Sequence, residues 1–357
     1  MLLEIIKQRI KADGFITIHD FMSLALLHSD YGYYSHGDHF GVRGDFITAP
    51  EISQIFGELI GLWCLDCWQK LGEPQPFNII ELGPGRGTLM SDLMRATNIV
   101  PKFQEHLHIH LVDTNRAMRH VQEDLLQNWS VQWIKDLKEI KLNGPFILIA
   151  NEFFDALPIR QFYRTLQGWL EQVIICDDDK LNFDFVESKD TNLIKIFYED
   201  ENFPIGSCVE VSPSSYEYLL YIKHLLNQYN GAALFIDYGY IKGYGNSLQA
   251  VSQHKYVDLL FNPGQVDLTA HVNFGAFTKI ALEHNLQIYG PTTQGMWLNK
   301  LGLPIRAENI LKKASLKEAE QIKIACYRLT DPSQMGSLFK VLALSRDYLL
   351  LEGFDKK

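Results

Sequence analysis

Cysteine is scarce in this chain of 357 residues, with Cys64, Cys67, Cys176, Cys208 and Cys326 the whole set. An odd number spread this thinly excludes a secreted disulfide framework and suits a reducing compartment. Basic charge is also in deficit: 33 Lys and Arg stand against 43 Asp and Glu, for a net charge of −10. Such a surface repels phosphate, so neither nucleic acid nor an anionic membrane is an expected partner. No apolar run approaches the roughly 18 residues of a membrane span. Met1 to Ile10 has neither the apolar core of a signal peptide nor the Arg/Ser bias of a transit peptide, so a cytoplasmic location is the expectation. Repeats and low-complexity segments are missing too. What is present is a hydrophobic fraction of 46% and a charged fraction of 21%, the balance of a folded globular protein.

Residues 1–12 carry a short helical pattern that Asp13-Gly14 breaks, and Phe21, Met22, Leu24, Ala25 and Leu26 mark a second amphipathic helix. Tyr31 to Phe46 is an aromatic, glycine-rich loop, long enough to be read as functional. Pro50 and Glu51 open another helix, with Ile52, Ile55, Phe56, Leu59, Ile60, Trp63 and Leu65 at helical spacing. Cys64 and Cys67 lie within it and lack a second Cys/His pair at ligand spacing. They read as buried thiols, and no metal is expected.

From Phe77 onward the pattern alternates. Short apolar runs at 77–82, 107–113, 131–134 and 145–150 predict strands, and the stretches at 88–96 and 115–128 predict helices. Alternation of this kind predicts an α/β fold with a parallel sheet and right-handed crossovers. Residues 160–210 interrupt it and read as an inserted β element, with a hairpin around Gln167-Gly168. Ser212 caps a helix over 214–229, and 231–237 is a further buried strand. The stretch 238–275 is loop-rich, and 287–289 and 339–344 predict the last two strands.

The first strand runs into Glu81-Leu82-Gly83-Pro84-Gly85-Arg86-Gly87 and then a helix. Glycines there let backbone N–H groups and a helix N-terminus approach a ligand. A dinucleotide site asks for Gly or Ala at position 88, where this chain has Thr88, and a P-loop asks for Gly-Lys-Ser/Thr, which is absent. Glu81, Gly83, Gly85 and Gly87 are instead spaced as in the first motif of Rossmann-like methyltransferases. Asp113 ends the second strand, where a carboxylate can accept both hydroxyls of a ribose or simply cap the following turn. Asp136 follows the third strand and is either an adenine contact or a plain surface acid. Asn151-Glu152 ends the fourth strand, at the edge where such sheets bind ligands.

Tyr31 to Tyr34, Gly44 to Ser53, Glu81 to Thr88, Asn151 to Pro158, Ile236 to Gly239, Asp267 to Val272 and Pro332 to Gly336 follow one another in a known order. In these stretches the chain resembles the MidA family of S-adenosylmethionine-dependent methyltransferases, whose mitochondrial members are complex I assembly factors that symmetrically dimethylate a protein arginine. One departure is Val112-Asp113-Thr114-Asn115, where the family pattern is Glu-x-Ser-Pro; the shorter aspartate keeps a carboxylate.

The resemblance implies a Rossmann-like class I methyltransferase sheet over 73–357, preceded by a helical extension and cofactor-covering loop over 1–72. It implies S-adenosyl-L-methionine as cofactor, held by Glu81, Gly83, Gly85, Gly87, Asp113, Asp136 and Asn151. Asp45 and Thr48 are the implied contacts from the covering loop, unless they only cap the helix that follows. A guanidinium acceptor needs carboxylates to fix its plane and localise its charge. Glu152 and Asp155 fit by position, although both also suit a solvated turn. His271 is open as a proton acceptor or a structural histidine, Tyr238 as a stacking or packing ring, and Asp267 as part of the acceptor pocket. A protein substrate, with a respiratory complex I subunit as the family's example, is the implied partner. A small molecule or another side chain as acceptor, and a non-catalytic assembly factor that binds S-adenosyl-L-methionine, are the competing readings, and the oligomeric state is not legible.

Overall fold

The computed structural model describes residues 1–35, 47–115, 117–188, 191–198 and 202–355. Asp45, named above, lies outside them.

Seven strands form the main path of the central sheet: β1 (Phe77–Leu82), β2 (Leu107–Val112), β3 (Val131–Ile134), β4 (Phe146–Asn151), β5 (Gly231–Tyr240), β6 (Gln287–Thr293) and β7 (Phe339–Ser345). Their spatial order is β3-β2-β1-β4-β5-β7-β6. The first five are parallel. β7 is antiparallel to both β5 and β6, so the sheet is mixed rather than wholly parallel. β1 and β4 are buried along their whole length, which is why they read as unbroken apolar runs. The chain steps outward from β1 to β3 and then returns to place β4 on the other side of β1. That reversal opens a crevice at the carboxyl ends of β1 and β4.

Helices Gln54–Lys70 and Thr88–Thr97 cover one face of the sheet, with Phe56, Trp63 and Trp68 fully buried among them. Helices Pro213–Tyr229 and Phe274–Glu283 cover the other. Glu58 staples the first layer together. It accepts both Nε and Nη2 of Arg306 (2.8 and 3.1 Å) and Nη2 of Arg95 (3.2 Å). Because Gln54–Lys70 shares this core, by packing it belongs with the sheet and not with the N-terminal extension. Cys64 and Cys67 are both buried in that helix, and burial pushes both thiols up. Among the described residues no group of three or more His, Cys, Asp or Glu side chains is placed to hold a metal. None of their helices is long and apolar enough to cross a membrane.

Helices Leu2–Asp13 and Ile18–Leu27 pack elsewhere, against Ile159, Ile174, Ala250 and Leu268. Ile174 belongs to the inserted sheet, whose long antiparallel strands are Arg160–Thr165, Gly168–Asp177, Lys180–Glu187 and Cys208–Val211, with the short strand Ile16–Thr17 as a fifth pairing at Val173 and Ile174. Asp178 and Asp179, at φ 44° and 64°, make the tight turn before its third long strand.

Three local expectations shift. The helix expected from Pro50 is two, Ala49–Ile52 and Gln54–Lys70, because Ser53 is extended and its hydroxyl caps the second by accepting Ile55 N. The helix expected over 115–128 shrinks to Arg119–Leu125. Asp113 takes the amide of Asn115, and Asn115 takes those of Ala117 and Met118, so the chain turns before it coils. The loop-rich stretch 238–275 contains a small sheet of Gln249–Ser252, Lys255–Val257 and Asp267–Thr269.

Candidate functional site

The crevice at the switch point is a cleft of about 180 Å³. Its floor is the glycine loop. Gly83, Gly85 and Gly87 have φ of 63°, 52° and 86°, a left-handed run that side chains strongly disfavour. A Cβ on Gly83 would also press to 3.0 Å from the Phe153 ring. The carbonyl of Gly85 is tied down by Nε2 of Gln122 at 2.7 Å.

Two acids face this floor. Glu81 is buried at 3% exposure, and its Oε2 has no hydrogen-bond partner. Burial, helped by the nearby charge of Asp113, pushes its carboxyl up to about 8. Asp113 accepts Asn115 N at 2.8 Å and Gln122 Nε2 at 3.2 Å, and burial raises it to about 6. An orphaned buried carboxylate is costly unless a cation reaches it. The site therefore fits a nucleoside that carries a positively charged amino-acid end: Glu81 for the ammonium, Asp113 for the ribose hydroxyls, and glycine backbone where the ligand must come closest.

The opposite wall is built at the end of β4. Asn151 leaves its Oδ1 unpartnered and donates from Nδ2 to Glu152 at 3.3 Å. Glu152 sits at φ 49°, an uncommon conformation for a side chain of its kind, and accepts Ala49 N at 2.9 Å. It is part-buried, and desolvation pushes its carboxyl up to about 7. Asp237 on β5 fixes this strained turn from below: its Oδ2 accepts the consecutive amides of Phe153, Phe154 and Asp155 at 3.2, 3.0 and 3.3 Å. Asp155 and Asp237 are buried together, and burial raises both.

The residues expected at the site divide into those that line the cleft and those behind it. Thr48, Glu81, Gly83, Gly85, Asp113, Asn151 and Glu152 line it. Gly87 stands behind the loop, against Gln122 and Leu126. Asp136 does not line the cleft: it is exposed, its carboxylate accepts Lys138 N at 2.8 Å, capping the turn after β3, and it lines a neighbouring pocket together with Tyr218. Lys135 and Tyr218 line the cleft at that end instead. Asp155 lies beneath the wall and accepts the hydroxyl of Tyr238 at 2.6 Å. Asp267 accepts the hydroxyl of Tyr34 at 2.9 Å, and Tyr34 lines the cleft. His271 is set back, with its ring edge-on to Tyr238 at 5.5 Å, and burial lowers its basicity.

The sequence alone gives no individual site role to Tyr34, Glu51, Arg86, Lys135, Tyr218 or Asp237. Glu51 accepts the hydroxyl of Thr88, so the residue that spoke against a dinucleotide site anchors the covering segment.

The raised Glu81 carboxyl has a testable sign. Its ordinary value is 4.5 and its folded value about 8, so the ligand-free protein is most favoured with the proton on and loses that contribution as pH rises toward 8. A cationic ligand recruits the ionised form. Affinity for S-adenosyl-L-methionine should therefore tighten with rising pH, by up to about tenfold per unit between about pH 6 and 8. In Glu81→Gln the affinity should be weak and nearly flat across that window. Calorimetry at several pH values reads both, and an unchanged slope in the variant would remove Glu81 from the donor site.

Comparison with known proteins agrees with this geometry. A family of S-adenosyl-L-methionine-dependent methyltransferases matches residues 59–292. The protein arginine methyltransferase NDUFAF7, mitochondrial, of Xenopus laevis is 34% identical over 94% of this chain and 82% of its own length. Its Homo sapiens counterpart is 32% identical over 96% of this chain and 83% of its own. A Burkholderia thailandensis protein crystallised with S-adenosyl-homocysteine shares the fold, with a TM-score of 0.83 at 23% identity, covering 99% of this chain and 92% of that one. The resemblance to the MidA family is borne out. The expectation of a cytoplasmic location is not, since these relatives are named mitochondrial. Sparse thiols suit any reducing interior, so they could not separate one such compartment from another. This chain belongs to the family of S-adenosyl-L-methionine-dependent methyltransferases, and S-adenosyl-L-methionine is its cofactor.

Proposed function

We propose that the enzyme methylates an arginine of a partner protein, carrying it to the symmetric dimethyl form, with a respiratory complex I subunit as the acceptor that the family resemblance suggests. The observation that carries this reading is Glu152, a strained, desolvated carboxylate with a value of about 7 at the wall of the donor cleft. The names of the curated relatives support the same acceptor.

When bound, S-adenosyl-L-methionine supplies an electrophilic methyl group on a sulfonium. The protein supplies position and charge. Glu81 takes the amino-acid end, Asp113 the ribose, and Gly83 and Gly85 admit the ligand to backbone contact. Thr48 closes from the covering segment. Glu152 accepts guanidinium N–H groups, localises the positive charge away from the attacking nitrogen, and takes the proton that nitrogen must lose. Its value near neutrality suits that exchange. Asp155, steadied by Tyr238, backs Glu152 with a second buried carboxylate, and Asp267 holds Tyr34 at the cleft wall. His271 is a packing partner of Tyr238 and serves the acceptor side only through that ring.

The test is labelling. The enzyme is incubated with tritiated-methyl donor and a lysate of cells that lack it, and labelled peptides are identified by mass spectrometry. The expected result is dimethylarginine on a protein. Label on another side chain, label confined to small molecules, or donor binding with no transfer would each overturn the proposal.

A further inference from the structure

The inserted sheet ends in the strand Lys180–Glu187. It pairs with Gly168–Asp177 in unbroken register from Leu170↔Glu187 to Asp177↔Lys180, and among the described residues no strand lies along its other side. Proteins blunt such an edge with proline, a bulge or charged side chains, because bare backbone groups invite pairing with another chain. This strand has no proline or bulge, its charges Lys180 and Glu187 stand at its two ends, and its one central charge, Asp184, lies on the face opposite the phenylalanines. Leu181, Phe183 and Phe185 share one face of it, with Phe183 37% and Phe185 44% exposed. Phe183 stands opposite buried Ile174, at the margin of the core that the N-terminal helices cover.

The amide of Phe185 donates to its own neighbour, Asp184 Oδ1, at 2.8 Å. That amide therefore faces away from the neighbouring strand. Backbone direction alternates along a strand, so Leu181, Phe183 and Phe185 all turn their N–H and C=O groups off the free edge.

We propose that this edge is a dimer interface, pairing antiparallel with the same strand of a second copy of the chain. A two-fold axis normal to the sheet keeps the phenylalanine faces of both copies on the same side. It also pairs outward-pointing residues with outward-pointing residues. With Phe183 opposite its own equivalent, Leu181 meets Phe185 and Asn182 meets Asp184 across the junction. Apolar thus meets apolar on one face, and amide meets carboxylate on the other. A slip in one direction sets Asp184 against Asp184, and a slip in the other sets Phe185 against Asp179 of the turn. At its ends this register sets Lys180 against Val186 and Asp179 against Glu187, so the complementarity lies in the central five residues, 181–185, and the chain supplies both halves of it. The Asp184 side chain, which now occupies the Phe185 amide, holds the place of the second copy's carbonyl.

Sedimentation equilibrium of the full chain tests the assignment. The expected result is a reversible monomer–dimer equilibrium. In Phe183→Lys two like charges meet at the two-fold, and the dissociation constant should rise by about 30-fold or more. Donor affinity by calorimetry should be unchanged in that variant, which separates loss of pairing from misfolding. Phe183→Cys, treated with copper-phenanthroline, should yield a covalent dimer joined at position 183, since Cα atoms of a hydrogen-bonded antiparallel pair lie about 5.5 Å apart, within disulfide reach. A chain that is monomeric at all concentrations, a dimer that Phe183→Lys leaves intact, or cross-links that map only elsewhere would overturn the proposal.

Discussion

Gly85→Val is expected to abolish binding of S-adenosyl-L-methionine, with a loss of at least about 100-fold in affinity, equivalent to about 2.7 kcal/mol. Two effects add. Gly85 holds φ 52°, and a β-branched residue pays steeply for left-handed backbone. Gly85 also lines the floor of the cleft, where the ligand needs bare backbone. The loop cannot relax freely, because Gln122 holds the Gly85 carbonyl and Thr88 holds Glu51. Calorimetry with the donor is the measurement, and circular dichroism confirms that the variant is folded. Affinity within threefold of the unsubstituted enzyme would contradict the glycine-loop assignment.

Glu152→Gln is expected to separate binding from chemistry. The amide keeps the volume of the side chain, and its carbonyl can still accept the Ala49 N–H. It cannot hold a guanidinium by charge, and it cannot take a proton. Donor affinity should change by less than about threefold, while turnover should fall by about 10²–10⁴-fold, the range for losing a general base. The pH profile adds a second reading. With a folded value of about 7, Glu152 should make the enzyme's kcat/KM rise as pH passes through neutrality, and that limb should vanish in the variant. Turnover at the normal rate would take Glu152 out of the mechanism.

The parts of this molecule that could be read from sequence are those whose physics is local. β1 and β4 are buried on both faces, so their apolar runs declare them. Three glycines that must be left-handed announce the cradle, and a carboxylate at each strand end announces its walls. Asp136 shows the limit. An acid after β3 occupies the expected position, but its carboxylate accepts the amide two residues on, and a local cap competes with a ligand. Tyr218 lies in a helix 82 positions beyond Asp136 in the chain, so only the closed fold brings it to that end of the cleft. The role of Asp237 escaped for the same reason, because its partners are the amides of a turn on another strand. Lys180–Glu187 escaped because an exposed edge strand alternates charge with aromatic residues and has no buried face to betray it. The orientation of β7 depends on which neighbours it finds, and no run of residues encodes that.

The place of β7 has a consequence for how the polypeptide is made. It is the last strand of the central sheet to leave the ribosome, yet it sits between β5 and β6 and not at the border. Until it arrives, those two strands face a gap with exposed backbone on either side. The keystone of the arch is therefore set after every other stone, and a nascent chain stopped short of Phe339 would keep that slot open to intruders.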